Sequence, residues 1–126
     1  MEWTVSFLSN QQIVVIQTHG VADQTSILEM VKIIPKTMAQ YKSRRLLIDH
    51  SAISSVSGSI VDIYNRPQEL REIGVPSSVK IAEVVLHAHK EHFAFLETVC
   101  RNRGFDFLIF DDRESAIQWL TNEPLM

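Results

Sequence analysis

Arg44-Arg45-Leu46-Leu47-Ile48-Asp49-His50-Ser51 is the stretch of sequence that carries most information about the fold. Its branched apolar run predicts a buried strand over Arg45–Asp49, because a strand covered on both faces has apolar residues at every position. The serine-rich run that follows, residues 51–59, predicts a polar loop. Loops that follow buried strands often carry binding residues, so we expect functional side chains here.

Strand and helix patterns alternate on both sides of this segment. The predicted strands are Trp3–Leu8, Gln12–Thr18, Arg45–Asp49, Val79–Leu86 and Phe105–Phe110. Asp23 and Asp112 are good caps for the first and last helices, and Gly74 and Gly104 should end the two helices between them. Pro35 and Pro67 interrupt the first two helical patterns, so each helix should bend, split or restart with proline in its first turn. A loose tail is expected over residues 123–126.

The resulting order of elements is β-β-α-β-α-β-α-β-α, which is typical of the α/β class. Successive strand-helix-strand units make strands 2 to 5 parallel, and the short first connection makes strand 1 antiparallel to strand 2. We therefore predict a five-stranded mixed sheet with four helices. At 126 residues the chain fits one domain, covering 1–126.

Composition excludes several classes of function. The chain is 45% apolar with a net charge of −3, and it has no basic cluster of the kind that nucleic acid requires. No apolar run approaches the roughly 20 residues that span a bilayer, and no secretory signal pattern precedes the first strand. A lone cysteine, Cys100, cannot form an internal disulfide. These features favour a cytoplasmic location.

Histidine placement is the most function-like signal. All five histidines are predicted at or just beyond the carboxyl ends of strands, where open α/β sheets bind ligands. Asp49 ends a strand at the same edge. The predicted ligand-binding residues are therefore His19, Asp49, His50, Ser57, Ser59, His87, His89 and His92.

Catalytic and metal chemistry have weaker signals. His89 and His92, with His50 or Asp49, would supply enough ligands for a metal-dependent enzyme, but their spacing matches no established motif. The serine run lacks the Gly-x-Ser-x-Gly elbow of hydrolases, and neither Gly-x-Gly-x-x-Gly nor a P-loop is present. We expect no catalytic residue, no bound metal and no cofactor, and keep the metal-dependent enzyme as an alternative.

The "LLIDHS" strand with its Ser/Gly loop, together with the ending Ile109–Leu120, resembles the SpoIIAA-like family of the STAS superfamily. That resemblance implies a non-catalytic regulatory module that binds a protein partner or a small ligand. STAS antagonists carry an Asp-Ser pair in this loop, and a partner kinase phosphorylates the serine. The position of the aspartate corresponds to Ser57 here, and the position of the serine corresponds to Gly58. A phosphoswitch would therefore have to use Ser57 or Ser59.

Two further possibilities follow from the same resemblance. The family is often grouped with Sec14/CRAL-TRIO-like domains, which implies a carrier of a small hydrophobic or lipid-like ligand. Five phenylalanines between residues 93 and 110 would line such a pocket, although core packing also explains them. Exposure of Tyr64, Leu70 and Ile73 on the proline-containing helix would favour a protein partner or a homodimer.

Overall fold

A computed structural model describes residues 1–122, and the predicted tail lies outside the described residues. The described residues form five strands and five α-helices, with a short 3₁₀ turn at His87–His89. In chain order the elements are β1 (Glu2–Leu8), β2 (Ile13–Ala22), α1 (Gln24–Val31), α2 (Ile34–Tyr41), β3 (Arg45–Val56), α3 (Ile60–Ile73), β4 (Lys80–Val84), α4 (Lys90–Asn102), β5 (Asp106–Phe110) and α5 (Arg113–Thr121).

The strands lie in the sheet in the same order as in the chain. β1 is antiparallel to β2, and the pairs β2–β3, β3–β4 and β4–β5 are parallel, which confirms the predicted mixed sheet. Each crossover moves the chain one strand in the same direction, so the preference for right-handed connections places the crossover helices on one face. No strand follows α5 in the described chain, and that helix packs on the opposite face.

The two faces of the sheet have separate cores. The larger core packs α1 to α4 against alternate strand residues such as Leu46 and Ile48. A smaller core packs Ala116 and Leu120 of α5 against the other set, which includes Leu47. Neighbouring residues of β3 therefore point into different cores.

Proline acts differently in the two helices that contain it. The first predicted helix is split into α1 and α2, and Pro35 lies in the first turn of α2, where its missing N–H costs nothing. Pro67 lies inside α3, which continues as one helix of 14 residues. Buried neighbours on the same face, such as Ile63 and Leu70, hold α3 against the core despite the lost hydrogen bond.

The predicted serine loop is wrong over most of its length. β3 continues through Ser51–Val56 because β2 also continues, with two irregularities in register, until Ala22 pairs with Val56. β4 ends earlier, where Val84 pairs with Asp49. Only residues 57–59 form the connection to α3, and the backbone N–H of Ser57 donates to the Ala22 carbonyl (2.8 Å).

Among the described residues, none of the helices has the length and apolar content to cross a bilayer.

Candidate functional site

A cavity of about 40 Å³ lies between the sheet and helices α1, α3 and α4. Its mouth is at Ser57 and Gly58, which are exposed, and at the half-buried His92. Its walls are mostly apolar side chains of the larger core, and buried His50 and Glu83 lie at its floor. The cavity therefore joins solvent to two ionisable groups deep in the protein.

Thr18, His50 and Glu83 form a line of polar groups under the larger core. The Thr18 hydroxyl oxygen lies 2.7 Å from His50 Nδ1, and the other imidazole nitrogen, Nε2, lies 3.5 Å from Glu83 Oε1. The imidazole also stacks on the Phe93 ring at 5.0 Å. The order hydroxyl, imidazole, carboxylate is that of a hydrolase triad. However, Thr18 is fully buried and does not line the cavity, so a substrate cannot reach its hydroxyl.

A closed polar network connects α1 to α3 beside the cavity. Arg66 donates from one NH₂ group to the Gln24 side-chain oxygen (2.5 Å) and from Nε to Glu69 (3.2 Å). The Gln24 amide donates in turn to Glu69 (3.0 Å). The Arg66 charge is thereby balanced within the network, which explains how a guanidinium is buried here.

Burial also sets the protonation of two groups beside the cavity. Desolvation lowers the pKa of His92 below its ordinary value, although the negative charge of Glu83 opposes the shift. The imidazole is consequently neutral at pH 7. Desolvation raises the pKa of the Cys100 thiol to about 12, with a further contribution from Glu83, so Cys100 is not a thiolate nucleophile.

Asp49 lies on the opposite face of the sheet from His50. Its carboxylate accepts from Arg113 Nε (2.6 Å) and from the Ser51 backbone N–H (2.9 Å). Burial alone would raise the pKa of Asp49, but the hydrogen bonds from Ser51 and Arg113 outweigh it and hold the pKa below its ordinary value. Arg113 also bonds to Gln17, so this cluster fixes the start of α5 against β2 and β3.

The other predicted site residues lie apart from the cavity. His19 is half-exposed at the β1 side of the sheet, where its Nε2 contacts Glu2 at 3.0 Å. His87 and His89 belong to the 3₁₀ turn, and neither lines the cavity. Ser59 caps α3 by accepting from the Asp62 backbone N–H (3.1 Å). The structure thus brings together His50, Ser57 and His92, but not the other five.

Within residues 1–122, no three His, Cys, Asp or Glu side chains lie close enough to hold a metal ion. This finding gives no support to the alternative of a metal-dependent enzyme.

No family model and no curated protein matches this sequence. Solved structures do match. One is the anti-sigma factor antagonist SpoIIAA in its unphosphorylated form, with a TM-score of 0.58 and 16% identity, covering 97% of this chain and 100% of that one. Another is an uncharacterized DUF3478-family protein from Shewanella loihica PV-4, described as having a SpoIIAA-like fold. Its TM-score is 0.56 with 14% identity, covering 94% of this chain and 92% of that one. This chain has a SpoIIAA-like fold.

In this SpoIIAA-like fold, the start of α3 exposes three large apolar side chains. Ile60 is 72% exposed, Val61 64% and Tyr64 55%, and we call these three residues the α3 apolar face. The Arg103 guanidinium lies over the Tyr64 ring at 5.6 Å, which helps to hold the ring in place. Leu70, which was expected to share this exposed face, is buried in the larger core instead.

Four polar or charged residues of the cavity were missed from the sequence: Gln24, Asp62, Arg66 and Glu83. For Glu83 a signal was available. It is the only charged residue in the run Ile81-Ala82-Glu83-Val84-Val85, at a strand position that must point into a core. Gln24, Asp62 and Arg66 carry no comparable signal, because polar residues at such positions on a helix are ordinarily solvent-exposed.

Proposed function

We propose that this chain is a non-catalytic regulatory module that binds a protein through the α3 apolar face. The observation that carries this proposal is the exposure of Ile60, Val61 and Tyr64 on the first two turns of one helix. Isolated exposed apolar residues are normal, but three large ones together at the end of one element are typical of an interaction surface.

Two candidate nucleophiles near the cavity are inaccessible, which agrees with a binding role. Thr18 is the hydroxyl nearest to His50, and it is fully buried. Cys100 is buried and protonated at pH 7. None of these groups offers a nucleophile to a substrate at the cavity mouth.

Fold similarity suggests the class of partner. SpoIIAA is an anti-sigma factor antagonist, a name that implies recognition of an anti-sigma factor. We therefore propose a partner of the anti-sigma factor type, and place the contact beside Ser57 and Ser59 at the start of α3. Both serines remain candidates for regulation by phosphorylation, since phosphate at a helix N-terminus is favoured by backbone amides.

The lipid-carrier alternative has little support from the cavity. A volume of about 40 Å³ does not enclose a long acyl chain, and Phe93, Phe105 and Phe107 are buried residues of the larger core. A second copy of the chain is a different occupant for the α3 apolar face, and it is distinguished by the experiment below.

The experiment measures binding of the purified chain to each anti-sigma factor of the source organism by biolayer interferometry. The test variant is Val61→Lys, and the matched control is Gln68→Lys, which adds the same charge at an exposed position two turns further along α3. One anti-sigma factor should bind, and Val61→Lys should weaken it by about 30-fold or more, as expected for a central apolar contact.

Gln68→Lys should leave that affinity within about threefold, because rim substitutions contribute little. Failure of every anti-sigma factor to bind would contradict the proposed partner. Equal affinity of the two variants would contradict the proposed surface. Sedimentation showing a dimer that only Val61→Lys dissociates would assign the surface to self-association instead.

A further inference from the structure

Glu83 has an unsatisfied carboxylate oxygen at the floor of the cavity. The side chain is 7% exposed, and its Oε1 makes no hydrogen bond to any of the described residues. The nearest donor, His50 Nε2, is 3.5 Å away, which is too far for a good hydrogen bond. An unpaired buried carboxylate oxygen is costly, and a cationic group that entered the open cavity would supply the hydrogen bond that Glu83 Oε1 lacks.

We infer that the cavity binds a short alkylammonium group, with Glu83 as its anchor and the apolar walls around its carbon chain. The ligand would enter at Ser57 and Gly58 and place its cationic end at Glu83 Oε1. This site is distinct from the α3 apolar face, and the inference does not depend on the protein-binding role proposed above.

Charge around the cavity favours a cation over an anion. The Arg66 guanidinium is already bonded to Glu69 and Gln24, which leaves it little capacity for a ligand. The Asp62 carboxylate accepts from the Ser59 backbone N–H (3.0 Å) and so helps to cap the N-terminus of α3. Burial lowers the pKa of His92, so this residue contributes no positive charge at pH 7. Glu83 is then the charged group at the cavity with a carboxylate oxygen that accepts no hydrogen bond from the described residues.

Size and surface define the rest of the ligand. The volume of about 40 Å³ corresponds to about three water molecules, at roughly 10–15 Å³ for each on the same measure. A chain of about four carbons with one terminal nitrogen fits that space. Buried Ile48, Ile81 and Leu96 line it and offer apolar contacts along the length of the chain.

The experiment titrates three probes of nearly equal shape into the folded protein: n-butylammonium, n-butanol and n-butyrate. The readout is the methyl NMR spectrum, with Ile48 and Ile81 reporting on the cavity and Val15 on the opposite face. Butylammonium should give saturable shifts at Ile48 and Ile81 with a dissociation constant in the millimolar range, and none at Val15. Butanol should bind about tenfold more weakly or worse, and butyrate should not bind.

Glu83→Gln keeps the shape of the side chain and removes its charge. It should weaken butylammonium binding by about tenfold or more and bring it close to butanol. Glu114→Gln is the control, because Glu114 is exposed on α5 across the sheet. The comparison of the three probes on the unmodified protein tests the charge preference even if Glu83→Gln does not fold.

Three outcomes would overturn the inference. One is no saturable shift at Ile48 and Ile81 with butylammonium, which would mean that the cavity holds water alone. Another is equal binding of butylammonium and butanol, which would mean that the carboxylate is not an anchor. The third is unchanged butylammonium affinity in a folded Glu83→Gln variant.

Discussion

Asp49 and His50 are neighbours on β3, yet they illustrate opposite ways of burying a charged or polar group. Asp49 faces α5, where Arg113 and a backbone N–H satisfy its carboxylate. His50 faces the larger core, where its Glu83 neighbour keeps an unbonded oxygen. On the α5 face the buried carboxylate is therefore fully hydrogen-bonded, whereas the opposite face has a cavity and a carboxylate oxygen without a hydrogen bond. This difference, rather than the number of polar residues, distinguishes a structural cluster from a candidate binding site.

Truncating one apolar residue on each face tests whether the cavity exists in solution. Leu47 is fully buried in the smaller core, whereas Ile81 lines the cavity. Leu47→Ala should lower the free energy of unfolding by about 3–5 kcal/mol, and Ile81→Ala by about 2–3 kcal/mol, because Ile81 already has empty space on one side. Urea denaturation measures both values. An equal or larger loss for Ile81→Ala would show that the cavity is closed.

Asp49→Asn tests whether the hydrogen-bonded ion pair between Asp49 and Arg113 stabilises the α5 face. The variant weakens the contact with Arg113, so the free energy of unfolding at pH 7 should fall by about 1–2 kcal/mol, since Arg113 is partly solvent-exposed.

The folded-state pKa of Asp49 is below its ordinary value of 3.8, so its stabilisation is present above that pH and is lost as the pH falls further. Urea curves of the two proteins should therefore differ at pH 7 and approach each other as the pH falls below 3.8. A difference that is independent of pH would assign the loss to packing.

The two serines in the connection from β3 to α3 differ in structural role. Ser59 caps α3, so Ser59→Ala should lower the free energy of unfolding by about 1 kcal/mol. The structure gives the exposed Ser57 side chain no such role, so Ser57→Ala should change stability by less than about 0.5 kcal/mol. Thermal unfolding of both variants measures these changes in stability. A large loss for Ser57→Ala would indicate a structural role at the cavity mouth and would weaken its candidacy as a phosphorylation site.

Glu83→Gln should have the smallest effect on stability, and the substitution should be neutral or stabilising. Removing an unpaired buried charge should leave the free energy of unfolding within about 1 kcal/mol or raise it, because the neutral amide is less costly to bury. Guanidinium denaturation without any added amine gives the value. A loss of more than about 2 kcal/mol would show instead that Glu83 forms a strong ion pair with His50.

The fold could be predicted from the sequence because local signals agree with the final packing. Branched apolar runs mark the strands, Asp23 and Asp112 accept from the helix N–H groups as caps, and Gly74 ends α3 with a positive φ of 102°. The length of β3 could not be predicted. Its serine-rich half is a strand because β2 lies beside it, and that pairing is a contact between distant parts of the chain.

The candidate site was predicted only in part because sequence position gives the edge of a sheet but not its face. Side chains alternate along a strand, so placing Asp49 and His50 at one edge does not bring them together. The groups that complete the cavity come from three helices, and their convergence depends on helix rotation and packing. Glu83 lies on β4 instead, and the pattern of that strand could have revealed it.

Identical strand order in the chain and in the sheet has a consequence for how the protein can assemble during synthesis. Each new strand adds beside the one made just before it, and none must be inserted between strands that have already paired. The β1–β2 hairpin can form first, and the parallel strands then extend it one crossover at a time as the ribosome releases them. Each parallel strand is added on the same side of the growing sheet, and β5 and α5 are the last of the described elements to join it.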